Sequence, residues 1–249
     1  MMFRNYLTVA IRAFLNRKLY SFINVAGLAV ALTCVMLIGL YAQEELTFDA
    51  DLPGHENIYR VAMTFHIPGQ APEHTGAASP PLGPAIQREI AGIKEQSRMR
   101  QDSASLRIHD ETRMVRLNKV DGNFFTLLRM PFVEGNPATA LARPDSMVLT
   151  EKRAIDLFGT KNAMGKTLRI AGDGPRTVTG ILKDLPYNTQ IDGSIFVRYP
   201  PIRTGAPEQS DDPGKWTQMD VSSYIRLMPG TRPEQVAAQI PALMIRHLP

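Results

Sequence analysis

The sequence has almost no cysteine, since Cys34 is the single one among 249 residues. It lies inside an apolar run, so the rest of the chain has no disulfide framework, no CxxC motif and no thiolate metal site. The stability of the remainder must therefore come from buried apolar side chains. With 249 residues, of which 44% are hydrophobic, the chain is long enough to bury a sizeable core.

Motifs for catalysis are missing as well. The five histidines, His55, His66, His74, His109 and His247, lack the spacing of a zinc-protease helix, although His66 and His74 flank one loop. No G-x-S-x-G elbow occurs, and no pair of carboxylates is singled out for acid–base work. We therefore predict no catalytic, cofactor-binding or metal-binding residues, and no cofactor.

One segment approaches a phosphate-binding loop. Residues 159–167, GTKNAMGKT, end in Gly-Lys-Thr but place five residues between the two glycines. The Walker pattern has about four there, between a strand and a helix. Here the pattern predicts a helix before the segment and a strand after it, which is the reverse order. The sequence therefore favours an ordinary helix-to-strand loop.

The net charge of +4 and the pI of about 9.3 are only mildly basic. The basic residues are scattered and do not alternate with aromatic residues, as they would in a groove that binds nucleic-acid strands. Part of the excess precedes the apolar run, at Arg4, Arg12, Arg17 and Lys18. We therefore expect no nucleic-acid partner.

The apolar run covers residues 19–42 and holds 24 residues without a charge. As a helix it spans about 36 Å, enough to cross a hydrocarbon core of about 30 Å. Basic residues precede it, and Glu44, Glu45, Asp49 and Asp51 follow it. The positive-inside rule then places the N-terminus in the cytoplasm and the main domain in the periplasm. The run is too long for a signal-peptide core and has no A-x-A site, so we predict an uncleaved inner-membrane anchor with a single span.

A short amphipathic helix is predicted over residues 1–18, before the anchor. Phe3, Leu7, Ile11 and Phe14 recur at helical spacing between basic flanks. Such a helix suits the surface of the inner leaflet, and it equally suits packing against a partner helix. The sequence leaves both alternatives open.

Strands and helices are mixed without strict alternation beyond the anchor, which favours an α+β fold. The predicted loops cover residues 67–84 and 200–214, and the predicted hairpin turn is AGDGP, residues 171–175. The predicted helices begin at Pro84, run over 123–128, run from a cap at Thr150 through Phe158, and run from Pro233 towards His247. The predicted strands cover residues 57–66, 105–108, 113–120, 146–149, 167–170, 177–182, 194–197 and 223–227.

Several blocks of the sequence follow one another in a recognisable order. The first block combines AIR, NRKLYSFIN and GLA in residues 10–29 with QEELTFD at residues 43–49 and NIYRV at residues 57–61. Later blocks are VDGNFFTLLRMPFVEG, SMVLTEKRAIDLFG, MGKTL and TVTGILKDLP. In this order the chain resembles the macrolide-exporter-type ABC permeases, whose subunits carry a MacB-like periplasmic core domain and an FtsX-like permease region.

The resemblance implies one transmembrane helix followed by a two-lobed α+β domain over residues 43–249, with an inserted lobe at about residues 101–193. It implies a non-catalytic permease subunit that works as a homodimer or pseudo-dimer with a separate cytoplasmic ABC ATPase, with a membrane-fusion protein as a further partner. Such a subunit transmits the motion of the ATPase across the lipid bilayer to export or release a substrate. Family members have at least three further transmembrane helices, so the chain is expected to be a fragment of a longer permease or a truncated product.

Two other functions remain open at this stage. The first is a single-pass, membrane-anchored binding or sensor module in the periplasm, without transport activity. The second is an anchored periplasmic hydrolase, which would need a cluster of catalytic side chains that the sequence does not display.

Overall fold

The computed structural model divides the chain into two units, Met1–Phe48 and Asp49–Pro249. It describes residues 6, 12, 16, 18–46, 57–65, 68–108, 111–171, 174–186, 189, 191, 193–199 and 216–247. The amphipathic helix predicted over residues 1–18 lies mostly outside these ranges, and the loop predicted over residues 200–214 lies wholly outside them.

The first unit contains helix α1, Lys18–Leu46. Its residues are uncharged from position 19 to 43, and branched and straight apolar side chains occupy every side of the helix. Leu28 and Ile38 are 70% and 67% exposed. A helix that is apolar on every side is typical of a membrane span. The prediction of a helix over residues 19–42 is confirmed, and the helix continues to Leu46.

The second unit combines strands and helices in irregular order, which confirms the predicted α+β class. The helices are α2 (Leu82–Glu89), α3 (Phe124–Leu127), α4 (Glu151–Phe158), α5 (Pro233–Ala237) and α6 (Ile240–His247). The strands are β1 (Ile58–Val61), β2 (Met63–Phe65), β3 (Glu73–Thr75), β4 (Ile93–Ile108), β5 (Glu111–Val120), β6 (Phe132–Gly135), β7 (Ser146–Thr150), β8 (Thr167–Ile170), β9 (Gly174–Leu182), β10 (Ile195–Arg198) and β11 (Ser222–Leu227).

Nine of these strands form one mixed sheet in the order β1-β11-β4-β5-β10-β7-β9-β6, with β8 beside β9. The pairs β5–β10 and β7–β9 are parallel, and the other pairs are antiparallel. Strand β8 also meets the far part of β4, where Ile170 lies opposite Leu106. The six strands β4, β5, β10, β7, β9 and β8 therefore close into a ring, in which β10 covers only part of β5.

The ring is filled by apolar side chains that point inward. Leu106 and Ile195 are fully buried, and Leu117 and Ile170 are nearly so. Alternate residues of a strand point to opposite faces, so each ring strand supplies one buried row to this cluster. One further core cluster lies on each face of β11, because Tyr224 and Ile225 point to opposite sides of the strand. Helices α2 and α6 cover one of these faces, and the rings of Phe124, Phe125 and Phe196 fill the other.

Most predicted elements are present. The hairpin formed by β8 and β9 is confirmed, and so is α4, where Thr150 Oγ1 accepts a hydrogen bond from the backbone N–H of Arg153 at 3.3 Å. The predicted turn at residues 123–128 is α3. Helix α2 begins at Leu82 rather than Pro84, so that Pro84 is its third residue. A proline is tolerated there, because the N–H groups of the first turn have no acceptor within the helix.

Three predictions about local structure are wrong. Strand β4 spans 16 residues, whereas the sequence predicted only residues 105–108. The stretch predicted as a loop over residues 67–84 contains strand β3. Strand β6 is an omission, because the sequence analysis placed no element there. The single helix predicted from Pro233 to His247 is two helices, because Pro241 has no N–H to bond the preceding turn.

The predicted limits of the inserted lobe, about residues 101–193, stay a prediction. The first limit falls inside β4, which crosses it without interruption. Strand β10 belongs to the ring although it begins at Ile195, just beyond the second limit.

Candidate functional sites

Helix α1 is the first candidate, because its segment Lys18–Glu44 is the one helix in the described part of the chain that is long and apolar enough to cross a membrane. Its 27 residues span about 40 Å at about 1.5 Å per residue. The polar hydroxyl of Thr33 donates to the carbonyl of Ala29 at 2.8 Å, so it is satisfied within the helix. A helix whose backbone and hydroxyl groups are satisfied internally fits a lipid environment.

Of the five histidines, the structure describes His74 and His247, and these two take part in different contacts. In the described part of the chain, no three His, Cys, Asp or Glu side chains come together as metal ligands would. His74 Nδ1 lies 2.9 Å from the hydroxyl of Thr64 across the β2–β3 hairpin. His55, His66 and His109 lie outside the described residues, so the meeting of His66 with His74 is not tested.

The phosphate-loop-like segment, residues 159–167, is a helix-to-strand loop, as the sequence predicted. Gly159 ends α4 in the left-handed conformation, with φ of 68°. The backbone N–H of Gly165 donates to Val178 at 2.8 Å, and that of Lys166 donates to Ala163 at 3.1 Å. A phosphate site needs these donors free and pointing at the ligand. The protein uses them itself, so the segment has no phosphate cradle.

A buried ion pair joins β4 to the turn after β5. The guanidinium of Arg98 donates from Nε to Asp121 Oδ2 and from NH2 to Asp121 Oδ1, both at 2.9 Å. Its NH1 donates to the carbonyl of Pro80 at 3.0 Å, and Tyr199 lies beneath the guanidinium at 4.7 Å. The Arg98 side chain is 5% exposed. This two-pronged contact orients three chain segments, as expected of a structural centre.

A second charged cluster lies where α6 meets α2. Glu89 accepts hydrogen bonds from Arg246 at 3.0 Å and Arg88 at 2.8 Å, and it lies 3.0 Å from His247 Nε2. Arg246 and Arg88, with a smaller contribution from His247, lower the pKa of the Glu89 carboxyl to about 2. The imidazole of His247 stacks on Trp216 at 4.5 Å between ring centroids. These contacts fasten the last described helix to the domain.

An open groove of about 1050 Å³ lies between α4, the outer part of β5 and residues 184–186, 189, 191, 193 and 194. We call it the α4–β5 groove. Leu157 and Ile191 contribute apolar surface to it, and both are almost fully buried. Sequence reasoning missed this groove, because its walls come from three distant segments that meet only through the pairing of β5, β10 and β7.

The groove has a fixed polar frame at the start of α4. Asp184 Oδ1 accepts the backbone N–H of Lys152 at 3.0 Å, and Thr150 caps the next N–H group. Arg153 Nε donates to Ser194 Oγ at 2.7 Å, which joins α4 to the residue before β10. The start of α4 therefore has its own carboxylate partner, and the Arg153 guanidinium is held by Ser194.

Comparison with known proteins identifies the family. Residues 21–243 match the family of the MacB-like periplasmic core domain, so the chain belongs to that family. The resemblance predicted from the sequence blocks is thereby confirmed. Among curated proteins, no sequence matches the chain significantly.

Solved structures share the fold. A domain described as part of a permease protein from Porphyromonas gingivalis is 24% identical, with a TM-score of 0.62 over 80% of this chain and 84% of that one. The periplasmic region of MacB from Actinobacillus actinomycetemcomitans is 12% identical, with a TM-score of 0.53 over 77% of this chain and 84% of that one. Identities this low establish similarity of fold alone.

Proposed function

We propose that this chain is a permease subunit of an ATP-driven ABC transport complex, with α1 in the inner membrane and the second unit in the periplasm. One observation carries the proposal: a single chain combines a helix of membrane-spanning length with a MacB-like periplasmic core domain. The basic residues before α1 and the acidic residues after it support an N-terminus in the cytoplasm.

The proposed mechanism is transmission of motion. A separate cytoplasmic ATPase hydrolyses ATP, and α1 passes the resulting movement to the periplasmic domain, which then exports or releases a substrate. An uninterrupted helix is stiff along its axis, and α1 continues without a proline from Lys18 to Leu46. The proposed partners are the ATPase, a second permease subunit, the lipid bilayer and a membrane-fusion protein.

The test is an insertion that makes the link flexible. A Gly-Ser-Gly-Ser stretch after Gln43 interrupts the last turns of α1, whereas the same stretch after Gly69 enters an exposed turn of the domain. When the protein is co-expressed with its cytoplasmic ATPase, we expect export to be lost in the first variant and kept in the second, while both insert and fold. Equal export by the two variants would rule out transmission through α1.

Topology has its own test. Alkaline phosphatase fused just after Leu227, at the end of β11, is expected to be active, because this enzyme folds only outside the cytoplasm. The same reporter fused before Lys18 is expected to be inactive. An inactive fusion at Leu227 with full expression would place the domain in the cytoplasm and remove the basis of the proposal.

The second candidate function is a membrane-anchored binding or sensor module without transport. The α4–β5 groove favours it, since a cavity of about 1050 Å³ is of the size of ligand sites. The gene distinguishes the two candidate functions. A reading frame that continues into further apolar spans supports the permease, whereas a gene without a neighbouring ATPase gene supports the sensor.

A further inference from the structure

One end of the main sheet is the end at which the chain enters from α1. Ile58, the first residue of β1, pairs with Arg226 near the end of β11. Leu227, the last residue of β11, pairs with Ile93, the first residue of β4. Residues 47–57 alone connect α1 to β1, and a chain of that length reaches about 40 Å at most. We call this part of the domain, where β1 and β4 begin and β11 ends, the tethered end.

A fixed turn forms part of the tethered end. The N–H of Met228 donates to the carbonyl of Gly92 at 2.8 Å, and the N–H of Thr231 donates to the carbonyl of Met228 at 3.1 Å. Within this turn Pro229 precedes Gly230, whose φ is 84°, a combination typical of a type II turn. The turn therefore holds the Met228 side chain, which is 48% exposed, on a backbone with little freedom.

Helix α6 adds a second exposed apolar side chain, because Ile245 is 74% exposed. Its neighbours Arg246 and His247 contact Glu89, which lies three residues before Gly92 in the sequence. Ile245 therefore belongs to the same end of the domain as the turn. Single exposed apolar side chains are common on protein surfaces, so the charges around these two decide what they contact.

Two cations of the tethered end have no counter-charge. Lys94 and Arg232 are both exposed, and in the part of the chain that the structure describes neither side chain forms an ion pair. Of the neighbouring carboxylates, Glu95 is paired with Arg226 at 2.8 Å. Glu234, in the first turn of α5, offsets part of the charge. An excess of positive charge remains at this surface.

The cluster around Glu89 is positive as well. Arg88 and Arg246 share its single carboxylate, and their side chains are still 60% and 58% exposed. The cluster keeps one positive charge even when His247 is neutral. The tethered end thus combines exposed cations with exposed apolar side chains. Surfaces of this kind bind phospholipid headgroups, because the cations attract the phosphates and the apolar side chains enter the headgroup layer.

We propose that the tethered end rests on the headgroup surface of the bilayer that contains α1. Lys94 and Arg232 contact lipid phosphates, and Met228 and Ile245 enter the headgroup layer. The inference rests on α1 spanning the membrane, as proposed above, and does not depend on transport.

An acidic segment of the chain itself is the alternative partner for the cations. Residues 44–56 hold five carboxylates and no Lys or Arg. Lipid accounts for the cations and the apolar side chains together, whereas carboxylates account for the cations alone. The two partners differ in one measurable respect, because only contact with lipid responds to the charge of the lipid.

The test measures how close the tethered end lies to lipid headgroups. Cys34→Ala first removes the single cysteine, and each variant of the full chain then receives one new cysteine, labelled with the fluorophore NBD. The variants are Ile245→Cys, Met228→Cys and, as the control, Arg169→Cys. Folding is checked in detergent by the emission of Trp216, the single tryptophan. The chains are then placed in nanodiscs that contain phosphatidylglycerol and a lipid whose headgroup nitroxide quenches NBD at short range.

The control position lies far from the tethered end. Arg169 is exposed on β8, which meets β4 at Leu106, about 43 Å along that strand from Ile93. We expect quenching at positions 228 and 245 to be at least about twofold stronger than at position 169. Equal quenching at the three positions would overturn the proposal. A chain that fails to enter nanodiscs would contradict the proposed span of α1 and this inference together, whereas entry without selective quenching contradicts this inference alone.

Charge reversal identifies the partner of the cations. In the Ile245→Cys chain, Lys94→Glu with Arg232→Glu is expected to lower the quenching at least about twofold. The matched change of two exposed cations on the ring, Lys166→Glu with Arg169→Glu, should leave it unchanged. Without these changes, quenching should also fall when zwitterionic lipid replaces phosphatidylglycerol. Quenching that ignores the lipid charge would assign the cations to the acidic segment and overturn the proposal.

Discussion

The buried ion pair between Arg98 and Asp121 allows a sharp prediction about stability. The side chains are 5% and 16% exposed, and Asp121 Oδ2 also accepts the backbone N–H of Arg98 at 2.9 Å. Replacing Asp121 by Asn keeps the shape but removes the charge that faces a buried guanidinium. Breaking a buried pair in this way costs about 3–5 kcal/mol, since the remaining charge is left without compensation. We expect Asp121→Asn to lower the free energy of unfolding by about 3 kcal/mol.

The double variant separates the pair from its surroundings. Arg98→Met removes the cation. In the Asp121→Asn background this cation has already lost its counter-charge, so its removal costs less stability there. We therefore expect the double variant to be less destabilised than the sum of the single variants, with a coupling of about 2 kcal/mol. Purely additive losses would refute the assignment of the stability to the pair itself.

The assay is urea unfolding of the full chain in detergent, followed by the emission of Trp216. This indole is 1% exposed in the core cluster on the helix-covered face of β11, so unfolding exposes it. The control is the solvent-exposed pair between Arg113 and Glu111, at 2.7 Å, with side chains 65% and 67% exposed. Because water screens such a pair, Glu111→Gln should change the stability by less than about 0.5 kcal/mol. Equal losses for Asp121→Asn and Glu111→Gln would contradict the argument from burial.

The remaining predictions concern pH, backbone space and aromatic packing. The pKa of Glu89 is lowered from 4.5 to about 2 in the folded protein, so its stabilising contribution is present above pH 4.5 and lost as the pH falls through about 2. The stability difference between wild type and Glu89→Gln, about 1 kcal/mol at pH 7 for a partly exposed cluster, should vanish near pH 2 in thermal melts. Gly180→Ala should lower the free energy of unfolding by more than about 2 kcal/mol, because the new Cβ would lie 2.5 Å from the Phe132 ring. Gly159→Ala should lower it by about 1 kcal/mol, because the site has open space but a φ of +68°. Phe196→Ala should cost about 3–5 kcal/mol in the same urea assay, because its ring is fully buried against two other phenylalanines.

The sequence predicted those elements whose signals are local. Helix α1 follows from an unbroken apolar run, and the β8–β9 hairpin follows from two short alternating segments around a glycine-containing turn. Helix α4 follows from its cap at Thr150. Each of these signals lies within the element that it predicts, so no knowledge of distant contacts was needed.

The first twelve residues of strand β4 were missed for a physical reason. Its buried positions include Ser97 and Arg98, which a hydrophobic pattern cannot recognise as inward-facing. Arg98 is buried because Asp121, 23 residues later, compensates its charge. The α4–β5 groove was beyond prediction for a similar reason, because β10 covers only part of β5 and nothing in either strand's own sequence sets that overlap.

The extent of β4 bears on how the domain would respond to a load in the proposed function. Its first part pairs with β11 under the helices, and its last part joins the closed ring at Leu106. A strand of 16 residues, about 53 Å long, therefore belongs to both parts of the domain, and its pairs with β11 and with β5 meet at Met99. The Arg98–Asp121 pair lies beside this junction and ties β4 to the end of β5. In the proposed function, movement delivered to one part would pass to the other along β4, and the Arg98–Asp121 pair would brace the strand where its two ladders meet.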